Sequence, residues 1–177
     1  QIKAAIEHGP LMADCIWDHD IKAPLPALFP MSRCRRVFLN KKTDKPVIPI
    51  GPVITYAEGY LTAEELRAEK QKLGRTLLAF PAHSTHWIDV EYDIEGYCDF
   101  LEELGRDFDT VTVCLYWKDV LRNIAEYYRK RGFHCVTAGH MYDPLFMPRL
   151  RSIIELADLT TSNEISSVLG YCVLLGK

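Results

Sequence analysis

The sequence has none of the short motifs that mark the commonest α/β catalysts. Its 177 residues contain no GxGxxG, no GxxxxGK[ST], no GxSxG and no HExxH. That argues against a standard dinucleotide fold, a P-loop enzyme, an α/β-hydrolase and a zincin. No apolar run approaches the ~18 residues of a membrane span, and no basic-then-apolar stretch resembles a signal peptide. We therefore expect a cytoplasmic protein. A basic excess is missing too: the net charge is -3, which points away from nucleic acid as a partner. The six cysteines show no CxxC spacing, and several lie in apolar, strand-like runs. They read as free thiols in a reducing compartment, with no metal site expected. Internal repeats and low-complexity segments are also absent.

What is present is an ordinary globular composition, 48% hydrophobic and 25% charged, with a regular alternation of elements from Leu61 onward. Thr62 and Glu65 form a capping-box pattern that opens a helix through Leu73, and Gly74 stops it. Residues 76–80 (TLLAF) read as a buried strand ended by Pro81. Asp93 opens a helix to Leu104, with Ile94, Tyr97, Phe100, Leu101 and Leu104 at helical spacing. Strands follow at 111–116, 133–138 and 159–161, separated by helices at 118–131 and 149–157. A helical turn over 164–169 and a fifth strand over 171–175 complete the pattern. This alternation predicts a Rossmann-like α/β fold: a parallel sheet with right-handed crossovers and helices on both faces.

The first fifty residues read as part of a second α/β unit. Strands are expected at 2–6, 27–30 and 47–50, with Ser32 capping a basic helix over 33–42 whose Arg33–Arg36 run forms a solvated face. Gly51-Pro52 breaks the pattern, and 51–60 is the expected connection. We therefore divide the chain into a partial N-terminal unit, 1–52, and a Rossmann-like domain, 53–177. The start at Gln1 and the strand-like end at Lys177 lead us to expect further sequence on both sides. These residues alone are accordingly expected to be inactive in catalysis.

Ligands of parallel α/β sheets sit at the carboxyl ends of strands, so polar residues just past each strand are the candidates. His83 and Ser84 follow the first strand of the second unit, where they read either as ligand contacts or as a generic polar loop. Gly139 and His140 follow the third, the glycine letting a ligand approach the backbone. Ser162, Asn163, Ser166 and Ser167 lie on a strand-to-helix turn, where amides, hydroxyls and the positive helix end favour a phosphate. One N-cap accounts for only one of these four. His8, within Glu7-His8-Gly9 at a strand end, is the candidate general base. Lys118 and Asp119 read better as a helix start, Asp143-Pro144 as turn chemistry, and Trp17, Trp87 and Trp117 as packing residues.

Residues 50–177 resemble the C-terminal, nucleotide-sugar-binding domain of bacterial GT-B glycosyltransferases of surface and capsular polysaccharide biosynthesis. The segment ELADLTTSNEISSVLGYCVLLGK is similar to their "AD" strand, Ser/Gly-rich turn, helix and "LGKP" strand. UDP-N-acetylglucosamine 2-epimerases share the layout. Glu7-His8-Gly9 resembles a "QHG"-type loop of capsule-forming transferases, in which the His lies near the acceptor.

The resemblance implies sugar transfer from a nucleotide-sugar donor to a polysaccharide or lipid-linked acceptor, with no cofactor beyond that donor. The C-terminal domain would hold the nucleotide and the N-terminal domain the acceptor and a base. Helix dipole and amides, rather than a metal, would offset the leaving diphosphate. Peripheral membrane association of the full-length protein would suit such an acceptor. The alternatives are an epimerase of the same fold and a non-catalytic nucleotide- or carbohydrate-binding module.

Overall fold

A computed structural model describes residues 5–7, 14–85 and 89–177. The chain divides into two compact units, Gln1–Tyr56 and Ala57–Lys177, and the division falls inside the expected connection. In the first unit, β1 (Ala5–Ile6) pairs in parallel with β2 (Leu28–Phe29). Between them lies α1 (Asp18–Lys22), a short helix the sequence did not announce. The expected strand at 47–50 is reduced to a single bridge from Val47 to Leu28. Ser32 caps α2 (Arg33–Leu39) as expected, its hydroxyl accepting from the Arg35 amide.

The basic run on α2 is not wholly solvated. Arg35 is fully buried and pairs with the buried Glu7, its Nε donating to Glu7 Oε1 at 2.8 Å. A charge is removed from water only with a partner, and a partner 28 positions away leaves no local sign in the sequence. Glu7 is thus a structural partner of α2. His8 lies outside the described residues.

In the second unit, α3 (Ala63–Leu73) opens on the expected capping box. It leads into β3 (Thr76–Phe80), whose five residues are all buried. There follow α4 (Ile94–Leu104), β4 (Thr110–Cys114), α5 (Trp117–Leu121), α6 (Ala125–Lys130), β5 (His134–Val136), α7 (Phe146–Leu156), β6 (Leu159–Ser162) and α8 (Ser167–Leu174). The sheet is wholly parallel, in the order β5-β4-β3-β6. The Rossmann-like α/β architecture is therefore as expected. On one face Ala79 and Val113 pack with Tyr97, Cys98 and Leu101 of α4 and with Ala125 and Tyr128 of α6. The return from β5 to β6 reverses direction, so right-handedness carries α7 to the opposite face. There α3 joins it, with Lys70 Nζ donating to Leu156 O at 2.7 Å.

Three elements differ from expectation. The helix expected over 118–131 is broken at Asn123, which takes a left-handed conformation (φ 57) and separates α5 from α6. The helix expected from Arg149 begins at Phe146 and includes Pro148. Proline is tolerated there because first-turn amides lack intrahelical partners anyway. The largest correction is the fifth strand over 171–175: this segment is helix α8, burying Tyr171 and Cys172 and exposing Val173. A short apolar run does not by itself distinguish a buried strand from a helix.

All six cysteines are free. Cys98, Cys114 and Cys172 are buried, whereas Cys15 and Cys34 are exposed. Burial pushes the Cys98 thiol up to about 11, against the opposing charge of Arg131, and the Cys114 thiol up to about 12. Both are inert packing groups at neutral pH. No described helix is long and apolar enough to cross a membrane.

Candidate functional site at the carboxyl edge of the sheet

The strand order determines where a ligand fits. From β3 the chain winds outward to β4 and β5, then returns to lay β6 on the other side of β3. The connections after β3 and β6 therefore leave toward opposite faces, and such reversal points are where α/β sheets open a crevice at their carboxyl ends. Here the reversal point lies between residues 81–85, after β3, and residues 163–166, after β6.

Hydrogen bonds tie these two loops together. Ser162 Oγ donates to Phe80 O at 2.7 Å and accepts from the Glu164 amide at 3.2 Å. Asn163 Oδ1 accepts from the Ala82 amide at 2.6 Å. His83 Nδ1 stands 3.0 Å from Glu164 Oε1. Ser84 is buried, and its Oγ accepts from the Val90 amide at 3.0 Å. The expected polar cluster is thus assembled, but with divided labour. Ser162, Asn163 and Ser84 hold the loops in shape, while Ser166 and Ser167 begin α8. Ser166, in extended conformation (φ -132), is the N-cap of α8, and its hydroxyl makes no capping bond.

Gly139 and His140 are not part of this cluster. They follow β5, two strands from β3, so sheet spacing alone puts roughly 10 Å between them and the reversal point. Gly139 needs its glycine for its φ of +86, a conformation that L side chains rarely adopt. Asp143 accepts from the Leu145 amide and pairs with Arg149, and in that order these hold its carboxyl below the usual range. This is the expected turn chemistry.

Between the two groups runs a chain of rings the sequence reading passed over. His83 lies 4.5 Å from Tyr116, Tyr116 5.8 Å from Trp117, Trp117 4.3 Å from the exposed His140, and His140 5.4 Å from Tyr142 (centroid distances). Trp117 does pack, but as a link in a ring surface along the carboxyl edge, where planar groups stack well. Lys118 Nζ donates to Thr85 O at 2.9 Å, fixing the end of the β3 loop.

Asp119 is the other residue the sequence undervalued. It is 8% exposed, and its carboxylate has no hydrogen bond or ion pair among the described residues. It lines a cavity of about 380 Å³ together with Ser84, Tyr92, Arg122 and Ile124. Burial raises its pKa and the Glu164 charge adds to that, while His83, Arg122 and Lys118 oppose. The signal in the sequence was a Lys-Asp pair directly after a strand, which also describes any helix start. Only burial distinguishes the two.

Among the described residues, no group of three or more His, Cys, Asp or Glu side chains is placed to hold a metal ion. Compared with protein-family models and with curated proteins, the chain matches none.

Proposed function

We propose that residues 57–177 bind a nucleotide sugar and form the donor half of a GT-B-type glycosyltransferase acting on a surface-polysaccharide acceptor. The observation that carries this reading is the strand order β5-β4-β3-β6, whose reversal coincides with the Ser162–Ser167 turn and the His83 loop. The uncapped start of α8 offers amides and a positive dipole end to a diphosphate. His83 Nδ1 stands 3.0 Å from the Glu164 carboxylate, which turns that acidic group toward the β3 loop. The rings from Tyr116 to Tyr142 give a base somewhere to stack. A base from the N-terminal side, His8 by resemblance, would take the acceptor proton.

A thermal-shift panel of UDP, CDP, CMP and GDP tests the reading. A ligand that binds the folded state at a hundredfold excess over Kd stabilises it by about 2.7 kcal/mol. One nucleotide should raise the melting temperature clearly above the others. A flat panel would remove the nucleotide site and with it the case for sugar transfer.

A further inference from the structure

The contacts proposed above for the diphosphate and the base leave the cavity beside Asp119 unassigned. We propose that it is a sugar pocket in which the Asp119 carboxylate accepts hydrogen bonds from adjacent ring hydroxyls. That this ring is the donor's own sugar rests on the nucleotide-sugar reading above.

Four observations converge on it. The cavity, about 380 Å³, falls within the ~300–1,000 Å³ typical of small-molecule sites. Asp119 lines it and is more than nine-tenths buried, yet its carboxylate has no bonding partner among the described residues. Its oxygens are not among the fully enclosed, unbonded polar atoms, so they open onto the cavity, where a ligand that donates hydrogen bonds takes the place of solvent. The wall charges narrow the ligand class. Asp119 and Glu91 disfavour an anion, Arg122 is already paired with Asp89, and Ser84 and Tyr92 add polar atoms and a ring. A hydroxyl-rich ring offers donors to both carboxylates and an apolar face to Tyr92 and Ile124. Finally, the location fits: Ala82 and Ser84 border the cavity, flanking His83 of the β3 loop, and Asp119 feels the charges of both His83 and Glu164. A sugar here would lie next to a diphosphate held at α8.

The test is saturation-transfer NMR on the full chain with glucose, galactose, mannose and N-acetylglucosamine at millimolar concentrations, comparing wild type with Asp119→Asn. The variant keeps the side-chain volume and removes the charge. Its melting temperature at pH 7 should not fall, which separates a binding role from a structural one. At least one sugar should bind wild type, and its Kd should rise tenfold or more in the variant. Binding of no sugar, or equal binding to both proteins, overturns the proposal. Asp119-dependent sugar binding together with a flat nucleotide panel would uphold the sugar pocket and defeat only the nucleotide reading.

Discussion

The two rims of the second unit's sheet are built on opposite principles. At the amino-terminal rim the polar groups satisfy one another. Asp158 accepts from the Thr76 amide at 2.7 Å and pairs with Lys70, and Asp109 accepts from the Arg75 amide at 2.7 Å. Thr110 Oγ1 donates to Leu73 O at 2.6 Å, and Lys177 Nζ donates to Ala157 O at 2.6 Å. At the carboxyl-terminal rim the Asp119 carboxylate has no bonding partner among the described residues, the cap of α8 is not engaged, and His140 and Tyr142 are exposed rings. Closed polar networks stabilise a fold. Polar groups left open at a strand end cost stability and are kept where a ligand completes them. The contrast predicts that damage to the amino rim lowers stability and that damage to the carboxyl rim lowers binding.

The largest effect should come from Gly74→Ala. Gly74 adopts φ 63 and ψ -146, a region that suits only glycine, and an added Cβ would overlap the Asp109 carboxylate. Urea denaturation should show a loss of about 3 kcal/mol. Asp158→Ala comes next. It leaves the buried Thr76 amide without its acceptor, at a cost of about 2 kcal/mol. Burial pushes the Asp158 carboxyl up, but Lys70, the Thr76 amide and the Lys177 charge outweigh it and leave it below its usual value. Its contribution is therefore present above the unfolded carboxylate pKa and fades as pH falls through the lower folded value. Wild type and Asp158→Ala should converge in strongly acidic solution.

Asp119→Asn should behave in the opposite way. The folded pKa of Asp119 is raised, so the folded state resists ionisation and wild type loses stability as pH rises from the unfolded toward the folded value. The variant should match or exceed wild type in melting temperature at pH 7, and the advantage should vanish once both forms are protonated. A lower melting temperature at pH 7 would make Asp119 a structural residue. The smallest effect is expected for His140→Ala. The ring is exposed, so denaturation should shift by no more than about 0.5 kcal/mol while nucleotide binding weakens. A drop of several degrees in melting temperature would instead assign the ring to packing.

The alternation of elements was legible because period and caps are local: Thr62, Asp93 and Ser32 each cap the helix they announce. The strand-end rule also picked out residues that meet, since Ser162 and Asn163 reach the His83 loop across paired strands. What failed to show in sequence depended on distant partners or on burial. Arg35 looked solvated because Glu7 is remote, and Asp119 looked like a helix start because nothing nearby signals a cavity. Residues 171–175 read as a strand because a short apolar run has no decisive period, yet the segment covers the sheet as α8. Ser162 looked like a helix cap, but its hydroxyl spans β3 and β6, and the cap is Ser166.

That last correction selects the most direct measurement. A carboxylate at Ser162 would face Phe80 O and disturb the strand pair, whereas Ser166→Asp places it at the start of α8. Asp caps a helix as well as Ser does, so the fold should be as stable as wild type. Calorimetric titration of both proteins with the best nucleotide of the panel then tests the diphosphate site alone. The account predicts a loss of tenfold or more in affinity for Ser166→Asp, ~1.4 kcal/mol per decade, at unchanged melting temperature. Equal affinities in the two proteins would contradict it.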